Sequence, residues 1–550
     1  MTPDDLSSAI RSAVLDAVAA GALVVDVPDQ IVLERPKNPE HGDYASNIAM
    51  RLAGQAGLAP RVIADAIAQR LREREGIAEV EVAGPGFLNV RLATGALGAI
   101  ARAIVEQVGE YGRSQTLTGQ VVNLEFISAN PTGPLHLGHT RWAAVGDAIG
   151  RVLSAAGAQV TREFYINDRG VQMDHFGASL MAAANGRPIP ENGYQGDYIP
   201  ELAAQVVAER PDILAQAEDQ QLELFREEGY RLQLAQQKHV LDAFGTHFDV
   251  WYSERYLHTS GAVDRGLAKL REQGHIYDQD GAVWLRTTDF GDDKDRVLIK
   301  SDGSLTYFAS DTAYYVEKRA RGFDVNIYLL GADHHGYVGR LKTVAACAGD
   351  DPDVNIEVLI GQLVKILKGG QEVRLSKRAG EIVTLTDFVE AAGVDAVRYS
   401  LSRYPADSPI TLDLELITRA SNENPVYYVQ YAHTRTVNVV KNAADHGIAL
   451  DVFRPELLTD PTETALLTAL GDYPRVVAQA AELREPHRVA RYLEELAAFF
   501  HRWYDVCRVI PQGDDEITDV NRTRLWLNVA TRIVLANGLS LLGVSAPERM

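Results

Sequence analysis

The sequence predicts a multidomain α/β protein. It reads as an α+β N-terminal domain, a central parallel-sheet domain with a helical insertion, and a C-terminal bundle of α-helices. Three observations carry this. A strand–loop–helix–strand unit begins near Val121, strand-like runs return after a long helical interruption, and after about Thr411 helical periodicity continues almost unbroken. At 550 residues the chain is too long for a single hydrophobic core.

The elements follow in order. Thr2 as N-cap and Pro3 at the first helical position open an amphipathic helix along Leu6, Ile10, Val14 and Val18. In the first domain, residues 1–117, two helical patterns flank β-like runs, and Gly84-Pro85-Gly86 interrupts the second of these. The central domain, 118–412, starts with an apolar, β-rich run at 121–127. A Pro/Gly loop follows, then a helical pattern from Gly138 to Gly157 and a second strand at Gln159–Ile166. This is the βαβ unit of a parallel sheet, which binds ligands outside the carboxyl ends of its strands. Polar amphipathic helices at about 186–275 read as an insertion. Strand-like runs resume at 283–285, 325–330 and 356–359, and residues 413–550 form the helical bundle.

Composition narrows the class. No apolar run approaches the roughly 20 residues of a membrane span. Asp4 and Asp5 stand where a signal or transit peptide would carry base. Two cysteines cannot build a disulfide framework or a four-cysteine zinc site, so a reducing cytoplasm is expected. A net charge of −21 argues against indiscriminate nucleic-acid binding, while leaving room for a folded RNA on a local basic surface.

Two elements point to nucleotide chemistry. His136-Leu137-Gly138-His139 places two histidines at a strand-to-helix transition, where Gly138 permits close approach and the helix N-terminus favours phosphate. When a carboxylate attacks the α-phosphorus of ATP, charge builds on phosphoryl oxygens, so positioning and electrostatic stabilisation dominate. Arg374-Leu375-Ser376-Lys377-Arg378, between Gly369-Gly370 and Gly380, is a cationic segment able to close over a triphosphate. The plainer alternatives are a surface histidine pair or metal site, and a solvated basic loop.

These segments resemble the two signatures of class I aminoacyl-tRNA synthetases, with Leu137 and Leu375 for the usual Ile and Met, and Arg374 and Arg378 for Lys and Ser. The surrounding text resembles the arginyl-tRNA synthetase family: residues 125–131, 196–198, 291–294, 307–311, 331–336, 422–425, 431–433 and 535–550, with 41–44 and 86–89 in the first domain. The resemblance implies a Rossmann-like catalytic domain, with His136, His139, Arg374 and Lys377 catalytic and His136, Gly138, His139, Gly331, Asp333, Ser376 and Lys377 around ATP. It further implies that Glu125 and Asp311 take the arginine guanidinium and the Tyr307 hydroxyl completes the pocket. Asn130 and His136 then hold the amino-acid end, with His335 a further candidate contact. A guanidinium is always charged and has five donors, so carboxylates in that pocket are chemically apt. Read singly, Glu125 could be a surface acid, Asp311 a helix cap and Tyr307 core. The reaction implied is arginine plus ATP to arginyl-adenylate, then transfer to tRNA(Arg), with Mg²⁺ on the nucleotide and no protein-bound metal.

The C-terminal bundle resembles the family's anticodon-binding domain. Tyr428, Tyr431 and Arg435 share one helix face, suited to stacking on unpaired bases, and Met550 is placed near the anticodon by the resemblance. Bundle-core packing is the alternative for either tyrosine. The first domain resembles the family's tRNA-corner domain, although His41 to Tyr44 reads as a structural turn. A cytoplasmic monomer is expected. Two rivals stand beside this reading: another nucleotidyltransferase of the superfamily, and a non-catalytic tRNA-binding paralogue.

Overall fold

The computed structural model describes residues 1–36, 38–372, 384–513 and 515–550. The opening helix runs Pro3–Ala19, capped by Thr2 with Pro3 in its first turn, and buries Leu6, Ile10 and Val14. Tyr44–Ser46, Phe87–Leu92 and Ile77–Ala83 form a three-stranded antiparallel sheet in that spatial order. Gly84-Pro85-Gly86 is the turn joining the last two strands. The 41–44 segment is a turn too: Gly42 has φ +96°, a Cβ there would meet the Val90 carbonyl at 2.7 Å, and Asp43 accepts from the Leu92 amide at 2.8 Å.

Five parallel strands make the central sheet, ordered Ile356–Gly361, Val325–Gly331, Val121–Glu125, Gln159–Ile166 and Val250–Ser253. The chain leaves Val121–Glu125 towards one side and later returns to build the other. The crevice between the carboxyl ends of Val121–Glu125 and Val325–Gly331 is therefore the topological switch point, where open α/β sheets bind ligands.

Two expectations change here. Val250–Ser253, assigned from sequence to the helical insertion, is the edge strand of this sheet. Its four residues are too short to stand out among flanking helical patterns. The run at 283–285 belongs not to the central sheet but to a separate antiparallel sheet of Ile276–Gln279, Ala282–Leu285 and Arg296–Ile299. The insertion is a bundle of Val171–Ala184, Tyr198–Glu209 and Glu218–Ala243, with its own core around Phe176, Leu180, Ile199 and Phe225.

The C-terminal part is helical, from Pro425–Asp445 to Asp519–Leu541. It does not hang apart. One continuous core joins Leu6 and Tyr44 of the first domain, Ala148 and Val152 of the helix Leu137–Ala155, and Leu466, Leu493 and Leu535 of the bundle. No helix among the described residues is long and apolar enough to cross a membrane.

Candidate active site

The site starts at the end of the central strand. Ile127 and Ser128 both have left-handed backbones, φ +68° and +45°. A β-branched residue there is strained, and such strain persists where surrounding structure holds it. The kink keeps Glu125 facing the crevice: Ser128 Oγ donates to Glu125 Oε1 at 3.1 Å and accepts from the Tyr165 amide at 3.1 Å.

His136 then caps the helix Leu137–Ala155. Its Nδ1 accepts from the Gly138 amide at 3.0 Å, while His139 Nδ1 accepts from the His136 amide at 3.3 Å. The rings stack with centroids 3.7 Å apart. Because each Nδ1 is an acceptor, each imidazole carries a proton on Nε2, giving two adjacent N–H donors. Burial, and secondarily His136, pushes the His139 pKa down to about 3, so His139 is a neutral donor at physiological pH.

Arg374, Ser376 and Lys377 lie outside the described residues. The chain resumes at Thr384, which bridges His136, and the Leu385 amide donates to the Leu135 carbonyl at 2.9 Å. Thr384 and Leu385 are thus tied to the histidine element. Gly331 closes the neighbouring strand and Asp333 is exposed in the turn after it, with His334 Nε2 3.3 Å from its carboxylate. A Cβ on Gly331 would meet Asp333 Oδ1 at 2.6 Å, so a side chain there would have to displace the exposed Asp333 carboxylate. Among the described residues no three His, Cys, Asp or Glu side chains form a metal site. The His335 side chain lies outside the described residues.

The acid pocket opens on the other side of Glu125. Asp311 sits in the helix Tyr307–Ala320, accepting from the Tyr337 hydroxyl. Burial raises its pKa to about 6; the Tyr337 hydrogen bond opposes this and Glu125 adds to it. Tyr307 lies one turn earlier on the same helix and is 83% exposed. Asn130 is exposed, its amide donating to Gln172 Oε1 at 2.9 Å.

Several residues of this site were not singled out from sequence. Lys318, 0% exposed, donates to Glu125 Oε2 at 2.5 Å and rests on the rings of Tyr314 and Tyr328. Its spacing of seven from Asp311 puts both on one helix face, a signal available only once that helix faces Glu125. Glu254 follows the edge strand Val250–Ser253 and is 8% exposed. Burial lifts its pKa to about 7; Arg169 opposes, and Asp311 and Asp168 add to the rise. Three carboxylates, Glu125, Asp311 and Glu254, therefore cluster on one side of the crevice, and two imidazole donors stand at the start of the neighbouring helix.

In the bundle, Tyr428 and Tyr431 both pack against His501, at 5.0 and 5.9 Å between centroids. Arg435 donates to the Tyr431 hydroxyl at 2.9 Å and lies 4.7 Å over the Tyr504 ring. The three residues thus form one half-buried cationic–aromatic patch. The tail crosses the same helix, with the Pro547 carbonyl accepting from Thr434 Oγ1 at 2.9 Å, and ends at Met550, 53% exposed.

Comparison with known proteins agrees along the whole chain. Residues 4–92 match the arginyl tRNA synthetase N terminal domain, 100–403 the catalytic domain of class I (R) tRNA synthetases, and 429–550 the DALR anticodon binding domain. The chain is 59% identical to an arginine–tRNA ligase of Kineococcus radiotolerans over 554 residues and 59% identical to one of Renibacterium salmoninarum over 553, covering 100% of each chain. Its fold is shared with the arginyl-tRNA synthetases of Thermus thermophilus (TM-score 0.77, 23% identity) and Plasmodium falciparum (TM-score 0.72, 16% identity), covering 100% of each. A switch-point crevice with histidine donors on one wall and carboxylates on the other, in a chain matched end to end, places this protein in the arginyl-tRNA synthetase family of class I aminoacyl-tRNA synthetases.

Proposed function

We propose that this arginine–tRNA ligase runs both half-reactions in the crevice between Glu125 and His136. The observation carrying this reading is the acid pocket opposite a pair of imidazole donors. Asp311 receives the guanidinium with Tyr307 beside it, and we add Glu254 in place of Glu125, the residue expected from sequence, because the Glu125 carboxylate is already paired with Lys318 and so marks the inner wall. Asn130 and His136 hold the amino-acid end. The arginine carboxylate attacks the α-phosphorus of ATP, whose ribose lies against Gly331 and Asp333. Nε2–H groups of His136 and His139 donate to phosphoryl oxygens as charge builds. Arg374, Ser376 and Lys377 stabilise departing pyrophosphate, and Mg²⁺ arrives on the ATP phosphates.

The 3′-terminal ribose hydroxyl of tRNA(Arg) then takes the arginyl group and AMP leaves. The patch of Tyr428, Tyr431 and Arg435, with Met550 nearby, reads the anticodon loop by stacking. Family membership carries two further expectations: a cytoplasmic monomer, and adenylate formation only when tRNA is bound. Aminoacylation of total tRNA with each of the twenty amino acids tests the function, and charging by arginine alone is the expected result. Pyrophosphate exchange tests the dependence: exchange should be negligible until tRNA is added, and robust exchange in RNA-free protein would overturn that point alone.

A further inference from the structure

The helix His487–Val506 presents two polar faces. One carries His501 and Tyr504 to the Tyr431–Arg435 patch. The other carries Arg488 and Arg491 into a separate cleft, closed by Arg475 from the helix Tyr473–Glu482 and Arg35 from the first domain. Phe499 lies in this cleft with Arg35 4.7 Å and Arg502 4.6 Å from its ring, which orients both guanidinium planes.

We propose that this cleft is a second contact surface for tRNA, holding backbone phosphates between the anticodon patch and the first domain. The inference rests on the reading of the chain as a tRNA ligase. Charge is the first argument. The chain carries −21 overall, so a polyanion is repelled except where cations gather. Here four guanidinium groups face two acids, Asp472 and Glu495. Arg475 is 3.4 Å from Asp472 and Arg488 is paired with Glu485 at 2.5 Å. Arg35 and Arg491 form no ion pair among the described residues, and Arg491 is exposed. Arg35 also acts electrostatically on Asp472 and Asp43, whereas the exposed Arg491 fork stands without an acid and can match phosphate oxygens two at a time.

Continuity is the second argument. Arg502 acts electrostatically on Tyr428, so cleft and anticodon patch meet along one helix. From Arg488 to Arg502 that helix rises about 21 Å, at 1.5 Å per residue. This is long enough to follow several successive phosphates of one strand. A rail of this length suits one strand of an RNA stem whose loop is read at the patch. It also explains why these arginines sit at the seam of two domains rather than on an open face: RNA bridging the seam touches both.

The test uses the full-length protein with Arg475→Ala/Arg491→Ala, Arg491→Glu and Arg491→Lys. Affinity for tRNA(Arg) is measured across a potassium chloride series, alongside KM values for arginine and ATP and thermal midpoints. Expected are about tenfold weaker tRNA binding in the double variant and in Arg491→Glu, and a log–log salt slope shallower by roughly one per lost contact. Arg491→Lys should recover most of the affinity, and KM values for the small substrates should hold. Wild-type protein that charges tRNA(Arg), beside variants whose affinity and slope are unchanged, would overturn the cleft and leave the function standing. Wild-type protein that charges no tRNA would overturn both. Loss of binding to phosphatidylglycerol vesicles with tRNA affinity unmoved would assign the cleft to a membrane surface and overturn the proposal.

Discussion

At the scale of single residues, the pocket is defined by what burial does to its acids. Arginine is a cation at every relevant pH, so in the proposed reaction it binds the ionised forms of Asp311 and Glu254. Their pKa values stand raised, to about 6 and about 7, chiefly by burial. Below those values the empty pocket holds protons that arginine must displace, and above them the carboxylates are already charged. The KM for arginine should therefore rise as pH falls from about 8 to about 5.5, while the KM for ATP stays level over that window. A steady-state pH series checks it, and a flat arginine profile would remove these acids from the guanidinium site. Asp311→Asn should raise the arginine KM by roughly tenfold to a hundredfold, since one charged hydrogen bond contributes about 1.5–3 kcal/mol, with ATP binding retained. Lys318→Met leaves Glu125 buried without its cation and should cost about 3–5 kcal/mol in chemical denaturation. If Glu125 lines the arginine pocket, added arginine should stabilise this variant more than the wild type.

Among the elements, the strand–kink–helix unit from Val121 to Ala155 does most to arrange the chemistry. Its periodicity and the two histidines at a strand-to-helix transition were legible in the sequence, because a run of β-formers, a Pro/Gly loop and a glycine stop are local signals, whereas the cap by His136 came only with the structure. The left-handed Ile127 and Ser128 were not, since nothing in an isoleucine announces positive φ. Gly138 gives a sharp test of the cap. A Cβ there would meet His136 Cε1 at 2.8 Å and Nδ1 at 3.0 Å, so Gly138→Ala must displace the ring and weaken its bond to the amide. We expect kcat to fall by about tenfold to a hundredfold, as misplacement of about 1 Å does, with the melting temperature little changed. A variant with normal kcat would show that the His136 orientation is not needed. The edge strand Val250–Ser253 shows the opposite limit: four residues carry too little pattern, and only pairing with Gln159–Ile166 identifies them.

Across the whole molecule, catalytic and RNA-facing parts share one core. Arg398, 0% exposed, is the clearest joint. It pairs with Asp147 of the histidine-bearing helix and donates to the Phe244 carbonyl at 3.0 Å and the Leu542 carbonyl at 3.2 Å, so the insertion, the sheet domain and the last helix meet on one guanidinium. Arg398→Met should cost about 1–3 kcal/mol, because two buried carbonyls lose a donor while Asp147 keeps Arg151 at 2.6 Å. The consequence should appear in a single unfolding transition shifted to lower denaturant. Unchanged stability would mean that the domains are held by apolar packing alone.

The sequence by itself determined the order of domains, the α/β character of the middle third, the two histidines at a helix start and, through quoted motifs, the family. All of these rest on local periodicity or on residues adjacent in the chain. Tertiary structure alone decided the rest. It placed Glu125, Asp311 and Glu254 around one crevice from three separate elements, bound Lys318 to Glu125 across 193 residues, and brought Arg35 to a cleft in the bundle. Charge pairing and burial depend on distance in space, and a linear pattern records distance only along the chain. The histidine element thus names the reaction class from sequence, while its acidic and cationic surroundings become chemistry only where the sheet folds them together.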